Sequence, residues 1–200
     1  MRPLQFRLQE TIKRFNVLLL SLTCLLVFSQ TSQAHENKPA VATITIDNDD
    51  LVSIDISLNL EAMIAGVGVD HTVVNFAKAA RYLALSKLSA ADLTLELNDY
   101  TASLLSGLEI RADETLLITS LEASQIPESD NPLLARESVI RVKTKLPEDA
   151  KTISWQWNKD FGVIALRLHS PSKEDMFNAY LEPGIRSEAF DLTKLREDPS

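Results

Sequence analysis

Leu51–Leu60 reads LVSIDISLNL. Val52, Ile54, Ile56, Leu58 and Leu60 alternate with Ser53, Asp55, Ser57 and Asn59. A period of two places the apolar side chains on one face of a strand and the polar ones on the other, so this stretch predicts a half-buried strand. Immediately before it, Asn48-Asp49-Asp50 is turn chemistry, and β-branched Val41–Asp47 is the expected hairpin partner.

The same alternation recurs downstream. Leu108–Ala112 and Leu116–Ile126 flank a turn at Asp113-Glu114, and 127–132 is a polar loop bounded by two prolines. Ile140, Val142 and Thr144 alternate with Arg141, Lys143 and Lys145; Ile153, Trp155 and Trp157 alternate with Ser154 and Gln156. Asn158–Gly162 turns the chain into Ile164, Leu166 and Leu168. Met176–Leu181 and Ile185–Phe190, joined at Glu182-Pro183-Gly184, predict two further strands. Between the strands lies a helical stretch. Phe76, Ala80, Leu83 and Ala84 follow helix spacing, and so do Leu93, Leu97, Tyr100 and Leu104. Ser89 with Asp92 resembles a capping box, and Gly107 suits a helix C-cap. The pattern predicts a mainly β fold, an antiparallel Ig-like β-sandwich with a helical insertion over about residues 73–106. Ile153, Trp155 and Trp157 are expected on one buried face as core rather than as an exposed sugar-stacking platform.

The N-terminus carries a different signal. Arg2, Arg7, Lys13 and Arg14 precede the apolar run Phe15–Phe28, and Ser32-Gln33-Ala34 supplies small residues for cleavage. That order predicts a secretory signal peptide over 1–34. The apolar run is short for a membrane anchor. Cys24 lies inside that run, with Leu22 and Thr23 before it, which does not fit a lipoprotein. The expected organisation is a signal peptide, one sandwich domain over 35–192 and a flexible tail over 193–200, exported to the periplasm or secreted. No transmembrane segment is expected after cleavage.

The whole chain has 20 basic and 28 acidic residues. Loss of the leader removes four basic residues, one acidic residue and the single cysteine, leaving 16 and 27, a net of −11. Such a field repels nucleic acid and anionic lipid, and nucleic acid is not an expected partner. Without cysteine the domain must be held by its core.

Most chemical motifs fail on inspection. No G-x-S-x-G elbow is present. His35-Glu36 begins an H-E-x-x-H pattern, but Pro39 stands in the second histidine's place. Asp47–Asp50 lacks the glycine and the closing glutamate of a calcium loop. Gly66-Val67-Gly68 has no third glycine. One metal arrangement remains as an expectation. Cleavage after Ala34 would make His35 the first residue, whose free amine and imidazole can chelate copper together, with His169 or His71 as a further ligand.

Trp155-x-Trp157 followed by Phe161-Gly162, the run Tyr180-Leu181-x-Pro183-Gly184-x-x-Ser187, and LLSGLEIRAD over 104–113 form a set. In these residues the chain resembles exported sandwich domains associated with HupE/UreJ-type membrane proteins, accessory permeases for nickel and related metals. The resemblance implies a sandwich fold and a role beside such a permease. It implies no catalytic residues. The chain itself lacks the polytopic part of a permease.

These readings lead to a non-enzymatic exported domain that binds a protein partner or assists an envelope process, alongside a metal permease. The alternatives are a copper- or nickel-delivery module using His35 and an enzyme with a site among the carboxylates.

Overall fold

The computed structural model describes residues 38–47, 49–67, 75–129, 131–132, 134–170 and 173–193. Ten strands and three helices follow in chain order among them: β1 (Ala40–Ile46), β2 (Leu51–Leu58), α1 (Leu60–Ala65), α2 (Phe76–Leu85), α3 (Ala90–Ser106), β3 (Leu108–Ala112), β4 (Thr115–Leu116), β5 (Ser120–Gln125), β6 (Ser138–Lys145), β7 (Thr152–Trp157), β8 (Ile164–Ser170), β9 (Lys173–Leu181) and β10 (Phe190–Asp191). A 3-10 turn, Lys159–Phe161, links β7 to β8. The strands form a six-stranded sheet in the order β5-β6-β2-β1-β8-β9 and a four-stranded sheet in the order β10-β7-β3-β4. The fold is therefore a mixed α/β arrangement of two sheets and three helices.

β2 carries the alternation into the core. Val52, Ile54, Ile56 and Leu58 are buried, while the residues between them are half-exposed. Its register sets Ile54 between Ile44 of β1 and Val142 of β6, and Ile56 between Ala42 and Ile140. On the outer face the same register sets Asp55 opposite Arg141, whose guanidinium donates to both carboxylate oxygens at 2.6 and 2.8 Å. The inner face of the four-stranded sheet is built from Leu108, Ile110, Ala112, Ile153, Trp155 and Trp157, all buried. The two inner faces meet. A void of about 20 Å³ is lined by Ile44, Leu166 and Phe177 from one sheet and Ile110, Trp155 and Phe190 from the other. The Phe177 and Phe190 rings pack edge-on there, 5.7 Å between centroids. The expected tryptophan row is thus core.

Several expectations are corrected. The sandwich was expected to be antiparallel, yet β1 and β8 pair in parallel, Ala40 opposite Ile164 through Thr45 opposite His169. A parallel pair needs a long crossover, and here the chain from β2 through β7 supplies it. Leu60 was expected to end a strand but opens α1, with the Asn59 side chain accepting from the Ala62 N–H. Six residues are too few to display a helical period, so α1 had no signature. Leu116–Ile126 was expected as one strand but divides between the sheets. The Leu117 N–H still donates to Ile110 in the four-stranded sheet, whereas the Ile118 carbonyl already accepts from Thr144 in the six-stranded one. Ile185–Phe190 was expected as a strand, and only Phe190–Asp191 pairs as one. Ser187 meets β7 through its N–H, which donates to the Trp155 carbonyl at 2.8 Å, and through its hydroxyl, which accepts from the Trp155 N–H at 2.9 Å where a strand would use a backbone carbonyl.

The helical insertion packs into the core through Leu85, Leu93, Leu97 and Leu104 and is tied together by a buried cation. Arg136 donates to Glu61 of α1 at 2.6 Å and to the carbonyls of Leu85, Leu88 and Pro127. It thereby joins α1, the end of α2, the α2–α3 connection and the loop before β6. The other Glu61 oxygen, Oε2, is buried without a hydrogen-bond partner. In α3 the capping expectation holds at the start: the Ser89 hydroxyl accepts from the Asp92 N–H and donates to its carboxylate. At the end Gly107 does cap the helix, but with an ordinary right-handed backbone. Its lack of a side chain matters because a Cβ would come within 2.6 Å of the Phe161 ring.

Candidate functional site

The outward face of the four-stranded sheet carries a connected polar network. β3 buries Leu108, Ile110 and Ala112 and so turns Glu109 and Arg111 outward. β7 buries Ile153, Trp155 and Trp157 and turns Thr152, Ser154 and Gln156 the same way. The register places Glu109 opposite Gln156 and Arg111 opposite Ser154. From the far edge of β7, Arg186 reaches across and donates to Glu109 at 2.9 Å and to Gln156 at 2.6 Å. Glu109 also lies 3.6 Å from Arg111 Nε, so one carboxylate serves two guanidinium groups. Arg111 donates from Nη1 to the Glu114 carbonyl, and its Nε has no hydrogen-bond partner.

Two open grooves border this network. One, about 530 Å³, is lined by Arg111, Asp113, Thr152, Ser154, Arg186 and Ala189. The other, about 350 Å³, is lined by Gly107, Glu109, Gln156, Asn158, Lys159 and Gly184. At the edge of the larger groove Asp113 takes a left-handed backbone (φ 49°) and accepts from the Lys151 and Thr152 N–H groups and the Thr152 hydroxyl. The Lys151 backbone bond foremost, with the Thr152 hydroxyl next, holds its carboxyl below the usual carboxylate range. Asp113 is therefore an acceptor that pins the start of β7. Tyr100 of α3 packs near Phe161; burial first, and Asp160 second, push its phenol up.

Aromatic, glycine and serine contacts lock the edge of this sheet. Trp157 donates its indole N–H to the Gly162 carbonyl, and its ring meets Phe161 edge-on at 5.5 Å. Phe161 in turn covers Gly107. Gln156 donates to the Gly184 carbonyl, and Ser187 anchors to Trp155. Gly184 has φ 75°, and a Cβ there would press within 3.1 Å of Lys159 Cβ. These residues build one unit that fixes the 184–187 strip along β7 and aims Arg186 over the sheet.

The expected metal residues lie elsewhere. His169 is exposed on β8 of the six-stranded sheet, opposite Thr45. His35 and His71 fall outside the described residues, so no histidine pair is brought together among those described. Among the described residues no group of three or more His, Cys, Asp or Glu gathers as a metal cage. Asp47 is used as a turn acceptor, taking the Asp49 and Leu51 N–H groups at 3.0 and 2.8 Å. Gly66 is the C-cap of α1. Among the described residues no helix is long and apolar enough to cross a membrane.

No protein-family model matches this chain, and no curated protein matches it. The site therefore rests on its geometry. Its outward charges were readable from the alternation in Leu108–Ala112, but the reach of Arg186 was not, because it depends on Ser187 and Gly184 fixing an irregular strip.

Proposed function

We propose that residues 35–192 form an exported, Ig-like sandwich domain of the periplasm that works by binding a protein partner at the envelope rather than by catalysis. The observation that carries this reading is the Arg111–Glu109–Arg186–Gln156 network set between two open grooves. Arginine is enriched at protein interfaces, and a fork held by its own carboxylate and amide is pre-organised to meet a partner's acceptors. Both grooves open to solvent, which suits an extended polar surface better than an enclosed substrate. The resemblance carried by Trp155, Trp157, Phe161, Gly184 and Ser187 points to a metal permease of the HupE/UreJ type as the partner.

The test is photo-crosslinking in growing cells from a reactive residue placed at Ala189, inside the larger groove, and from one at Lys145, exposed at the end of β6. A discrete adduct from Ala189 that disappears on Arg186→Glu is the expected result. Equal adducts from both positions, or an Ala189 adduct indifferent to Arg186→Glu, would refute the assignment.

A further inference from the structure

Strand β9 ends the six-stranded sheet. It pairs with β8 on one side, and among the described residues no strand pairs with its other side. An edge strand presents unpaired backbone N–H and C=O groups, and folds ordinarily blunt it with short length, a bulge, proline or charge. The other edges of this fold are blunted. β4 and β10 have two residues each. β5 is bulged between Leu121 and Ala123, where Glu122 is ion-paired with Lys143. β9 differs. From Phe177 to Leu181 its register against β8 is unbroken, Phe177 opposite Leu168 through Leu181 opposite Ile164. That stretch reads Phe-Asn-Ala-Tyr-Leu, with no proline and no charge, in a chain of net charge −8.

The ladder identifies the free groups. The Ala40 N–H donates to the Val163 carbonyl, so alternate residues from Val163 onward turn their main chain to β1. Ile164, Leu166 and Leu168 turn theirs to β9, where they face Leu181, Ala179 and Phe177. Asn178 and Tyr180 therefore point their N–H and C=O groups out of the sheet edge. Their side chains are exposed as well, that of Tyr180 by 61%. Backbone groups in this alternation are matched by another extended chain. A second copy of β9 is such a chain, and it fits in register. With Ala179 on a two-fold axis, Asn178 lies opposite Tyr180 of the second copy, and Tyr180 opposite its Asn178. Each of these pairs exchanges both N–H···O bonds, since both members carry outward groups. Ala179 meets its own copy as a close, non-hydrogen-bonded pair, and Phe177 lies opposite Leu181. No charge opposes a like charge across this seam.

From this self-complementarity we infer that β9 is an association edge, at which two copies of the chain pair antiparallel and join their six-stranded sheets across a two-fold axis. The inference goes beyond the partner-binding reading and uses the other sheet, so either can fail without the other. The test is sedimentation equilibrium of the protein as processed by the exporting cell, which should show a dimer that grows with concentration. Tyr180→Pro should abolish the dimer, because it removes an outward N–H and leaves the β8 ladder intact. Asn178→Lys/Tyr180→Lys should abolish it too, by setting like charges at the seam without touching the main chain. In a Cys24→Ser background, Ala179→Cys should give a covalent dimer on mild oxidation. A non-hydrogen-bonded pair brings its Cα atoms to about 4.5 Å, within disulfide reach. Ala123→Cys, on the bulged β5 edge, should not cross-link. Unchanged melting temperatures separate loss of pairing from loss of fold. A wild type that remains monomeric at about 1 mM overturns the inference. So does a dimer that survives both edge variants, or one abolished instead by Phe76→Ser/Leu83→Ser, which would put the second copy on α2.

Discussion

β2 and α2 are written in the same code and end in opposite environments. Both present apolar residues at the period of their own secondary structure. In β2, Val52, Ile54 and Ile56 are fully buried between β1, β6 and the opposite sheet. In α2 the matching stripe, Phe76 to Leu83, faces solvent, and the side with Lys78, Arg81 and Tyr82 faces the domain. Periodicity declares that a face exists. It does not say what covers the face. Where the fold itself supplies the cover, the stripe contributes to stability; where it does not, the stripe is available for contact with something else.

The largest expected effects break the comparison on the buried side. Trp155→Ala and Trp157→Ala should each lower stability by about 3–5 kcal/mol, as a large aromatic removed from a packed core does. Phe76→Ala and Leu83→Ala should stay within about 0.5 kcal/mol, as exposed positions do. Denaturant melts of the four variants measure both halves of the contrast. A large loss from Phe76→Ala would mean that the outward stripe is structural.

The helical layer adds a buried charge to the packing that it shares with the strands. Arg136→Met leaves the Glu61 carboxylate alone in the interior and frees three carbonyls, so it should cost about 3–5 kcal/mol. Adding Glu61→Gln should recover part of that loss, because the uncompensated charge goes with it. A double-mutant cycle by urea unfolding measures the coupling, and strict additivity would contradict the hub role given to Arg136.

A smaller effect sharpens the same contrast on the four-stranded sheet. The Asp113 carboxyl is lowered in the folded protein, so the stability it contributes is present above its unfolded value, about 3.9. That stability is lost as pH falls through the folded value. Asp113→Asn tolerates the left-handed backbone but removes the titration. Its melting temperature should therefore fall less than that of the wild type between pH 5 and pH 2, a window set by that lowered carboxyl. Parallel curves would show that Asp113 is not a source of acid sensitivity.

The copper expectation is decided by affinity. If the processed chain begins at His35, one extra residue before it converts the amine to an amide. Copper affinity should then fall, and it should fall in the unextended protein as pH drops below about 6.5. A chelator competition titration that returns equal affinities for both forms removes His35, and with it His169 and His71, from consideration.

How far the sequence could be read follows from the same physics. One-sided burial made β2, β6 and β7 legible residue by residue, and Ser89 marked the start of α3. The parallel β1–β8 pair was not legible, because nothing local to Ala40–Ile46 records a partner more than a hundred residues away. The break at Ile185–Phe190 was hidden because a serine hydroxyl stands in for a ladder carbonyl, a substitution without periodic trace. Gly107 was placed rightly as a cap for a reason that only packing supplies, the Phe161 ring against it. Of the candidate site, Glu109 and Arg111 were legible as outward charges. Arg186 was not, since its direction is set by Gly184 and Ser187.

The central claim is that the grooved face of the four-stranded sheet is covered when the protein is at work. With Cys24, the only cysteine of the sequence, replaced by serine, single cysteines can be placed in a thiol-free chain. Ala189→Cys and Lys145→Cys probe the groove and an exposed strand end. Labelling rates with a membrane-impermeant maleimide should be similar for both in the purified protein. In cells with a permeabilised outer membrane, Ala189→Cys should be protected while Lys145→Cys reacts as before. Equal labelling of both in the cell would contradict the claim.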